Sequence, residues 1–300
     1  MDTGDLRIFE AVARLGGMNR AAAELNTVQS NITARIRHLE ASLGETLFQR
    51  HSRGVALTPA GQRLLPYARR AGHLISEARR AVADDGRPKG ELVIGSLETT
   101  AAVRLPQVLS AYAAAHPDVD LVLRPATSGE LIEDVLAHRV EGAFVCGPVD
   151  HPDLVEETVF VEELVLVTSR RIARLEDLSH DPRLKIVVMR IGCSYRQKLE
   201  GLLAAKGIVG LRRLEFGTID GIVGAVGAGL GVSLLPRSVV AAAAREGRVT
   251  LHAFPPDEAE VSTVFVRRRD AFVSSALRAF LEDRKSTRLN SSHRCISYAV

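Results

Sequence analysis

MNRAAAELNTVQSNITARIRHLEASLGETLFQRHSR, residues 18–53, reads as two helices meeting at a tight corner, followed by a small hairpin. Ala21, Ala22, Ala23 and Leu25 keep the first helix small-sided, so a second helix can approach it closely. Asn26-Thr27 forms the corner, and Thr27 is a favoured N-cap for the second helix. In that helix Ile32, Ile36, Leu39 and Leu43 recur at spacings of 4, 3 and 4, one buried stripe. The other face carries Gln29, Ser30, Asn31, Thr33, Arg35 and Arg37. Their amides, hydroxyls and guanidiniums suit base edges and phosphates. This is the sequence form of a helix–turn–helix whose second helix enters a DNA major groove. A helical hairpin with a solvated polar face would show the same spacing, so the surrounding sequence has to decide.

Asp5 stands where it can cap a first helix that runs through Arg14 to Gly16-Gly17, and Asn19 where it can cap the second. After the corner, Leu47–Arg50 and Val55–Leu57 form two short strands around residues 51–54, a β-wing. Arg50 and Arg53 on this wing would meet phosphate or the adjacent minor groove, although a loop arginine can also be merely solvated. Beyond this local pattern, Leu6, Phe9, Val12, Ala21-Ala22, Leu25, Gln29, Ile36, Leu39-Glu40, Leu43-Gly44, Leu47-Phe48, Arg50, Arg53, Leu57-Thr58 and Gly61 resemble the N-terminal signature of LysR-type transcriptional regulators. The resemblance runs over about sixty residues. It departs from the family just after Gln29, where Ser30-Asn31 replaces the common Pro-Ala.

Three hundred residues is comfortable for two domains, and a hydrophobic fraction of 46% is ample for their cores. Net charge is only +3, but it is unevenly spread. Residues 1–90 hold 14 basic and 9 acidic side chains, and every basic one before Lys89 is arginine. Residues 91–284 hold 22 basic and 27 acidic. A basic front on an acidic body suits a nucleic-acid module carried by something else. No apolar run reaches the ~18 residues of a membrane span, and the acid-bearing N-terminus is not a secretory signal. Three cysteines without paired spacing argue against a disulfide framework or a zinc site. The expected location is cytoplasmic, with no membrane partner.

Thr58-Pro59 is a strong helix start. Gly61, Leu64, Ala68, Ala71, Ile75, Ala78 and Val82 then alternate at spacings of 3 and 4, a heptad seam for pairing with a second copy of the chain. One helix packed on its own domain would look similar. Pro66 inside it should kink it. The helix ends near Asp84, and Asp85-Gly86-Arg87-Pro88 is a linker.

Past the linker, strands and helices alternate. Glu91–Gly95 is a strand, Thr99–His116 a helix, Val119–Arg124 a strand, Gly129–His138 a helix and Gly142–Val145 a strand, the βαβ signature of a parallel sheet. Val159–Thr168 is an unbroken strand long enough to cross between lobes. Strands and helices continue to a last helix, capped by Asp270, that ends at Asp283. The fold class expected is α/β overall: an N-terminal all-α winged helix–turn–helix, a long linker helix, and a C-terminal two-lobed α/β effector domain. That domain resembles the type 2 periplasmic-binding-protein fold used by LysR-type regulators. The divisions are 1–58, 59–87 and 88–284, with lobe I at about 88–161 and 260–284 and lobe II at about 162–259. Residues 285–300 (KSTRLNSSHRCISYAV) are polar and unperiodic, and read as a non-native or disordered tail.

Ligands of open α/β sheets bind beyond the carboxyl ends of the strands. Those ends carry Ser96, Thr99, Thr100, Thr127, Ser128, Cys146, Cys193, Ser194 and Thr218, several at helix N-termini that favour an anion. Ser and Thr there are also ordinary N-caps. The resemblance places an effector in this cleft, with Thr99, Ser128 and Ser194 at the family's ligand-contacting positions. A small anionic or carboxylate-bearing effector is therefore expected, although Glu98 would oppose an anion or select a ligand that carries an amine as well. A thiol sensor at Cys146 or Cys193 is a weaker reading, since neither has a resolving cysteine nearby. Enzymatic motifs are missing: there is no GxSxG, HExxH, P-loop or dinucleotide fingerprint, so no catalytic residue, cofactor or metal is assigned. A solute-binding protein would have the two lobes, but with a signal peptide and no helix–turn–helix. An architectural DNA-binding protein with an idle cleft is the remaining rival. The partners expected are double-stranded DNA with an inverted-repeat site, a small effector, a second copy of the chain and, through the resemblance, a tetramer, with RNA polymerase as a further candidate.

Overall fold

The computed structural model describes residues 1–51, 54–172, 174, 178, 184–189 and 194–286. Arg53 and Cys193, both expected site residues, lie outside this set, as does 287–300 of the tail. Contacts divide the chain into two units, residues 1–84 with 137–139, and residues 85–136 with 140 onward.

In the first unit, α1 (Thr3–Leu15), α2 (Met18–Glu24) and α3 (Gln29–Leu43) are followed by the antiparallel pair β1 (Phe48–His51) and β2 (Gly54–Leu57), and then by α4 (Pro59–Ala83). Phe9, Val12, Ala21, Ile32, Ile36, Leu39 and Leu47 form its core. Leu43 does not join them: it is exposed in the last turn of α3, just before Gly44 ends the helix in a left-handed conformation. Three caps differ from expectation. Asp2, not Asp5, caps α1, and the two aspartates form a reciprocal capping box at 2.8 and 3.1 Å. The left-handed Gly16 reverses the chain so sharply that α2 restarts at Met18, leaving Asn19 inside the helix. Val28 is the N-cap of α3, and Thr27 stands one residue outside it, where its hydroxyl accepts from Asn31 Nδ2 at 3.0 Å.

Thr58 caps α4 as expected, accepting from Gly61 N at 3.0 Å and donating to the Thr46 carbonyl at 2.6 Å. The helix continues through Pro66. Gly61 is required at this crossing, because any Cβ there would collide with the Leu47 carbonyl.

The second unit begins with β3 (Gly90–Ser96), α5 (Glu98–Val103), α6 (Leu105–Ala115), β4 (Val119–Pro125), α7 (Ser128–Leu136) and β5 (Gly142–Cys146). The single helix expected over Thr99–His116 is two. It breaks at Arg104, and the second piece restarts with Pro106 in its first turn, where no N–H is needed. β6 (Leu154–Thr168) leads to β7 (Lys185–Val188), α8 (Ser194–Ala205), β8 (Arg212–Glu215), α9 (Ile219–Gly227), β9 (Ser233–Pro236) and α10 (Arg237–Arg245). β10 (Thr250–Ala253), α11 (Pro256–Ala259), β11 (Glu260–Arg268) and α12 (Ser275–Ser286) complete it. Ser274, rather than Asp270, caps α12 by accepting from Leu277 N at 3.1 Å, while Asp270 holds Arg268 at 2.7 Å.

Two lobes share β6. Its first part pairs with β11 beside the parallel set β5–β3–β4, forming lobe I. Its last residues pair with β9 and β10, and the bridge Ile186↔Val232 joins the parallel pair β7–β8 alongside them in lobe II. Leu164 and Leu166 enter one lobe II core cluster and Val165 and Val167 the other. A strand buried on both faces has no polar alternation, which is why this run is uniformly apolar.

Where β6 passes between the lobes it carries Glu162, only 3% exposed. Its carboxylate lies 3.5 Å from Arg104 Nε, 3.5 Å from the Tyr195 hydroxyl and 3.4 Å from Ser238 Oγ. Burial raises this carboxyl above the usual glutamate range, against the opposing pull of Arg104 and the two hydroxyls.

Gly61→Ala should destabilise the first unit by about 1–3 kcal/mol, read from denaturant unfolding of that transition; an unchanged midpoint would show that α4 can move off Leu47 freely. For Glu162, a folded pKa above the unfolded one means stability that is full below the unfolded pKa and lost as pH rises through the folded value. The Tm of Glu162→Gln should therefore gain on the wild type between about pH 4 and pH 7, whatever the offset at the acid end. A gap that stays flat or closes across that window contradicts the assignment.

Candidate functional site

α3 turns Gln29, Ser30, Asn31 and Arg37 to solvent, opposite its buried stripe of Ile32, Ile36 and Leu39. Thr33 is half-buried, and among the described residues its hydroxyl has no hydrogen-bond partner. Arg35 differs from the rest of this face. Its Nη2 lies 2.8 Å from Asp2 Oδ1, and its Nε is 2.7 Å from Asp5 Oδ1, a close ionic contact without hydrogen-bond alignment. The guanidinium thus ties the middle of α3 to the acidic start of α1. Arg50 sits on β1 opposite Val55. The α1–α2 turn, the start of α3 and the wing enclose an open hollow of about 610 Å³ lined by Asn19, Arg20, Gln29 and His51. Arg20 is a residue that the sequence reading misses. It lies in the first turn of α2, at the end away from the Asn26-Thr27 corner, and only the fold brings it next to Gln29.

On α4, Ala68 is buried in the core of its own unit and Leu64 packs against that core. Ala71 and Ile75 are half-buried, Ala78 is exposed and Val82 is 90% exposed. Tyr67 and Leu74, absent from the expected seam, are 70% and 58% exposed.

In the second unit a cavity of about 360 Å³ lies between the lobes. Lobe I contributes Leu97, Glu98, Thr99, Pro125, Ala126 and Thr127; lobe II contributes Met189, Tyr195, Gly217 and Leu235. Of the residues expected to bind an effector, Thr99 and Thr127 line it. Ser96 and Thr100 are fully buried, the former donating to the Leu97 carbonyl at 3.0 Å. Ser128 Oγ accepts from Cys146 N at 3.1 Å, and Cys146 packs against a lobe II core cluster. Ser194 opens α8 beside Tyr195. Thr218 is exposed and caps α9, accepting from Gly221 N at 3.2 Å. Successive residues in a turn face different ways, so a run of small polar residues at a strand end sends only some of them into the cleft. The apolar lining carries no polar signal in the sequence, yet Leu97, Ala126 and Met189 adjoin the strand ends that hold the polar set.

Three contacts define the cavity's electrostatics. The Tyr195 hydroxyl is 3.5 Å from Thr99 Oγ1 and 3.5 Å from Glu162, so it bridges the lining and the buried carboxylate. Glu98 of lobe I accepts from Ile219 N, at the first turn of α9 in lobe II, at 3.2 Å. Thr127 N and Oγ1 each donate to Glu130 at 2.9 Å. The N-termini of α7 and α9 therefore already face carboxylates of the chain itself. Among the described residues, no group of three or more His, Cys, Asp or Glu could hold a metal ion, and no helix is long and apolar enough to cross a membrane.

Comparison with known proteins matches both units. Residues 3–62 match the bacterial regulatory helix-turn-helix protein, lysR family, and residues 85–284 match the LysR substrate binding domain. The HTH-type transcriptional regulator GltR of Bacillus subtilis (strain 168) is 45% identical over 276 residues, 92% of this chain and 93% of that protein. YusT of the same organism, an uncharacterized HTH-type transcriptional regulator, is 44% identical over 94% of this chain and 95% of its own length. Among solved structures, full-length CbnR, a LysR family transcriptional regulator, in complex with its target DNA superposes with a TM-score of 0.65 at 27% identity, covering 96% of this chain and all of that one. A DNA-binding helix–turn–helix and an effector-binding α/β body, matched over nearly the whole length, place this chain in the LysR family of transcriptional regulators.

Proposed function

We propose that this regulator reads an inverted-repeat DNA site as a dimer, under the control of a small carboxylate-bearing effector held between the lobes. Gln29, Ser30, Asn31 and Thr33 face base edges, while Arg37, Arg50 and Arg53 meet phosphate or the minor groove, and Arg20 adds charge beside them. Arg35 serves by fixing α3 against α1 through Asp2 and Asp5. Dimerisation uses an apolar stripe of α4, Tyr67, Ala71, Leu74, Ala78 and Val82, at spacings of 4, 3, 4 and 4, all exposed except the half-buried Ala71. This shifts the seam away from Leu64 and Ala68, which serve their own unit's core. Tetramers and a contact with RNA polymerase extend the same reading, in a cytoplasmic, non-enzymatic protein.

The observation that carries the effector reading is the cavity itself. It offers an apolar lining and the hydroxyls of Thr99, Thr127 and Tyr195, and its Glu98 reaches the first turn of α9, where the Ile219 N–H already holds that carboxylate. A ligand carboxylate fits where an internal one sits. Its differential affinity for open and closed lobes would then bias how the dimer engages DNA.

Gln29→Ala should lose about 1–3 kcal/mol of affinity for the specific site while leaving random DNA almost untouched, whereas Arg37→Ala should weaken both alike. Fluorescence anisotropy at fixed salt separates the two, and equal losses on both DNAs for Gln29→Ala would remove its base-reading role. Filling the cavity with Ala126→Trp should leave specific DNA affinity intact but abolish the Tm shift that a bound carboxylate-bearing effector gives the wild type. A shift that survives in the filled cleft would put the effector elsewhere.

A further inference from the structure

Glu98 is the one ionisable residue among the described residues that line the cavity, apart from the weakly acidic hydroxyl of Tyr195. It opens α5 in lobe I, yet its Oε1 is hydrogen-bonded across the cleft to Ile219 N in lobe II. This bond conflicts with an effector that is simply an anion. A ligand carboxylate seated on the first turn of α9 must evict Glu98, and the evicted carboxylate stays in the same cavity. Its surroundings there are apolar (Leu97, Met189 and Leu235) or neutral hydroxyls (Thr99 and Tyr195). The nearby guanidinium of Arg104 faces Glu162, behind Tyr195. Two carboxylates in such a space repel strongly, because a low-dielectric wall screens them poorly.

We propose that the effector itself supplies the missing cation: it is a small zwitterion with an apolar tail. Its carboxylate replaces Glu98 on Ile219 N, its ammonium pairs with the released Glu98, and its tail lies along Leu97, Met189 and Leu235. The inference rests on the cleft being the effector site. Glu98 then has two roles. Without ligand it stands in for the effector carboxylate and links the lobes; with ligand it selects the charge pattern that enters. Simple anions are rejected by Glu98, and simple amines bring no carboxylate to replace it on Ile219 N.

Three probes built on the same six-carbon chain test this on the full-length chain by isothermal titration: norleucine, hexanoate and hexylamine. Norleucine should bind the wild type at least about tenfold more tightly than either of the others. Glu98→Gln retains an acceptor for Ile219 N while removing the charge. It should weaken norleucine, strengthen hexanoate and bring the two within about threefold. Hydrogen exchange at the Ile219 amide reports whether the ligand has taken that position, with protection by norleucine in both proteins expected. Hexanoate matching norleucine on the wild type, or a norleucine preference unchanged in Glu98→Gln, would overturn the role of Glu98 and leave the carboxylate-binding cleft standing. Tightest binding by hexylamine, or no binding by any of the three to either protein, would sink the zwitterion and the carboxylate reading together.

Discussion

The effector domain depends on one strand having to satisfy two sheets. β6 gives Leu154–Glu163 to β11 and then Leu164–Thr168 to β9 and β10, so its backbone bonds are divided between lobes. Unpaired backbone groups in a buried strand are costly, so neither lobe can release β6 without losing its own sheet. The lobes are thereby fixed to a common axis while the space between their strand ends stays open. Glu162, at the handover, is the polar consequence of that geometry. It sits where both lobes close over the strand, and it keeps a carboxylate there only because Arg104, Tyr195 and Ser238 converge on it from three other elements. Tyr195 carries this arrangement into the cavity, so the lining and the seam share a hydrogen-bonded residue.

The recognition helix shows a similar division of labour on a smaller scale. Its polar face looks uniform in sequence, since Arg35 and Arg37 are two residues apart with similar neighbours. Packing separates them: α1 brings Asp2 and Asp5 under Arg35 and leaves Arg37 in solvent. Asp5 is 1% exposed, and a buried carboxylate needs a partner of opposite charge. The arginine that resembles a phosphate contact is thus the counter-ion of the capping box that starts α1.

Periodicity makes the elements legible, because burial imposes it. The 3–4 stripe of α3, the Thr58-Pro59 start of α4, the βαβ alternation and the apolar run of β6 all reflect which faces meet a core. Caps are less legible, since Asp2 and Asp5, or Thr27 and Val28, differ by at most one turn of backbone that tertiary contacts settle. Ser274 replaces Asp270 for the same reason, once Arg268 claims the aspartate. On α4 the heptad pattern fits two overlapping seams. Only the fold shows that Leu64 and Ala68 are used internally while Tyr67 and Leu74 remain exposed. In the cleft, strand-end positions are readable but side-chain directions are not. Thr99 and Thr127 face the cavity, whereas Ser96, Thr100 and Ser128 turn inward.

Helix N-termini in the sequence suggest an anion site because orphan N–H groups attract negative charge. The fold keeps that physics and changes who supplies the charge. Glu130 serves Thr127 and Glu98 serves Ile219, so the first demand at each terminus is met before any ligand arrives. Glu130 is local, three residues along the chain, and behaves as an ordinary cap. Glu98 is not: it is separated from Ile219 by the whole crossover through β6 and acts only while the lobes face each other. A cap made across a cleft is also a contact between lobes, and whatever replaces it on Ile219 must take over both functions. For the effector proposed above, charge and lobe closure would then be set by the same bond.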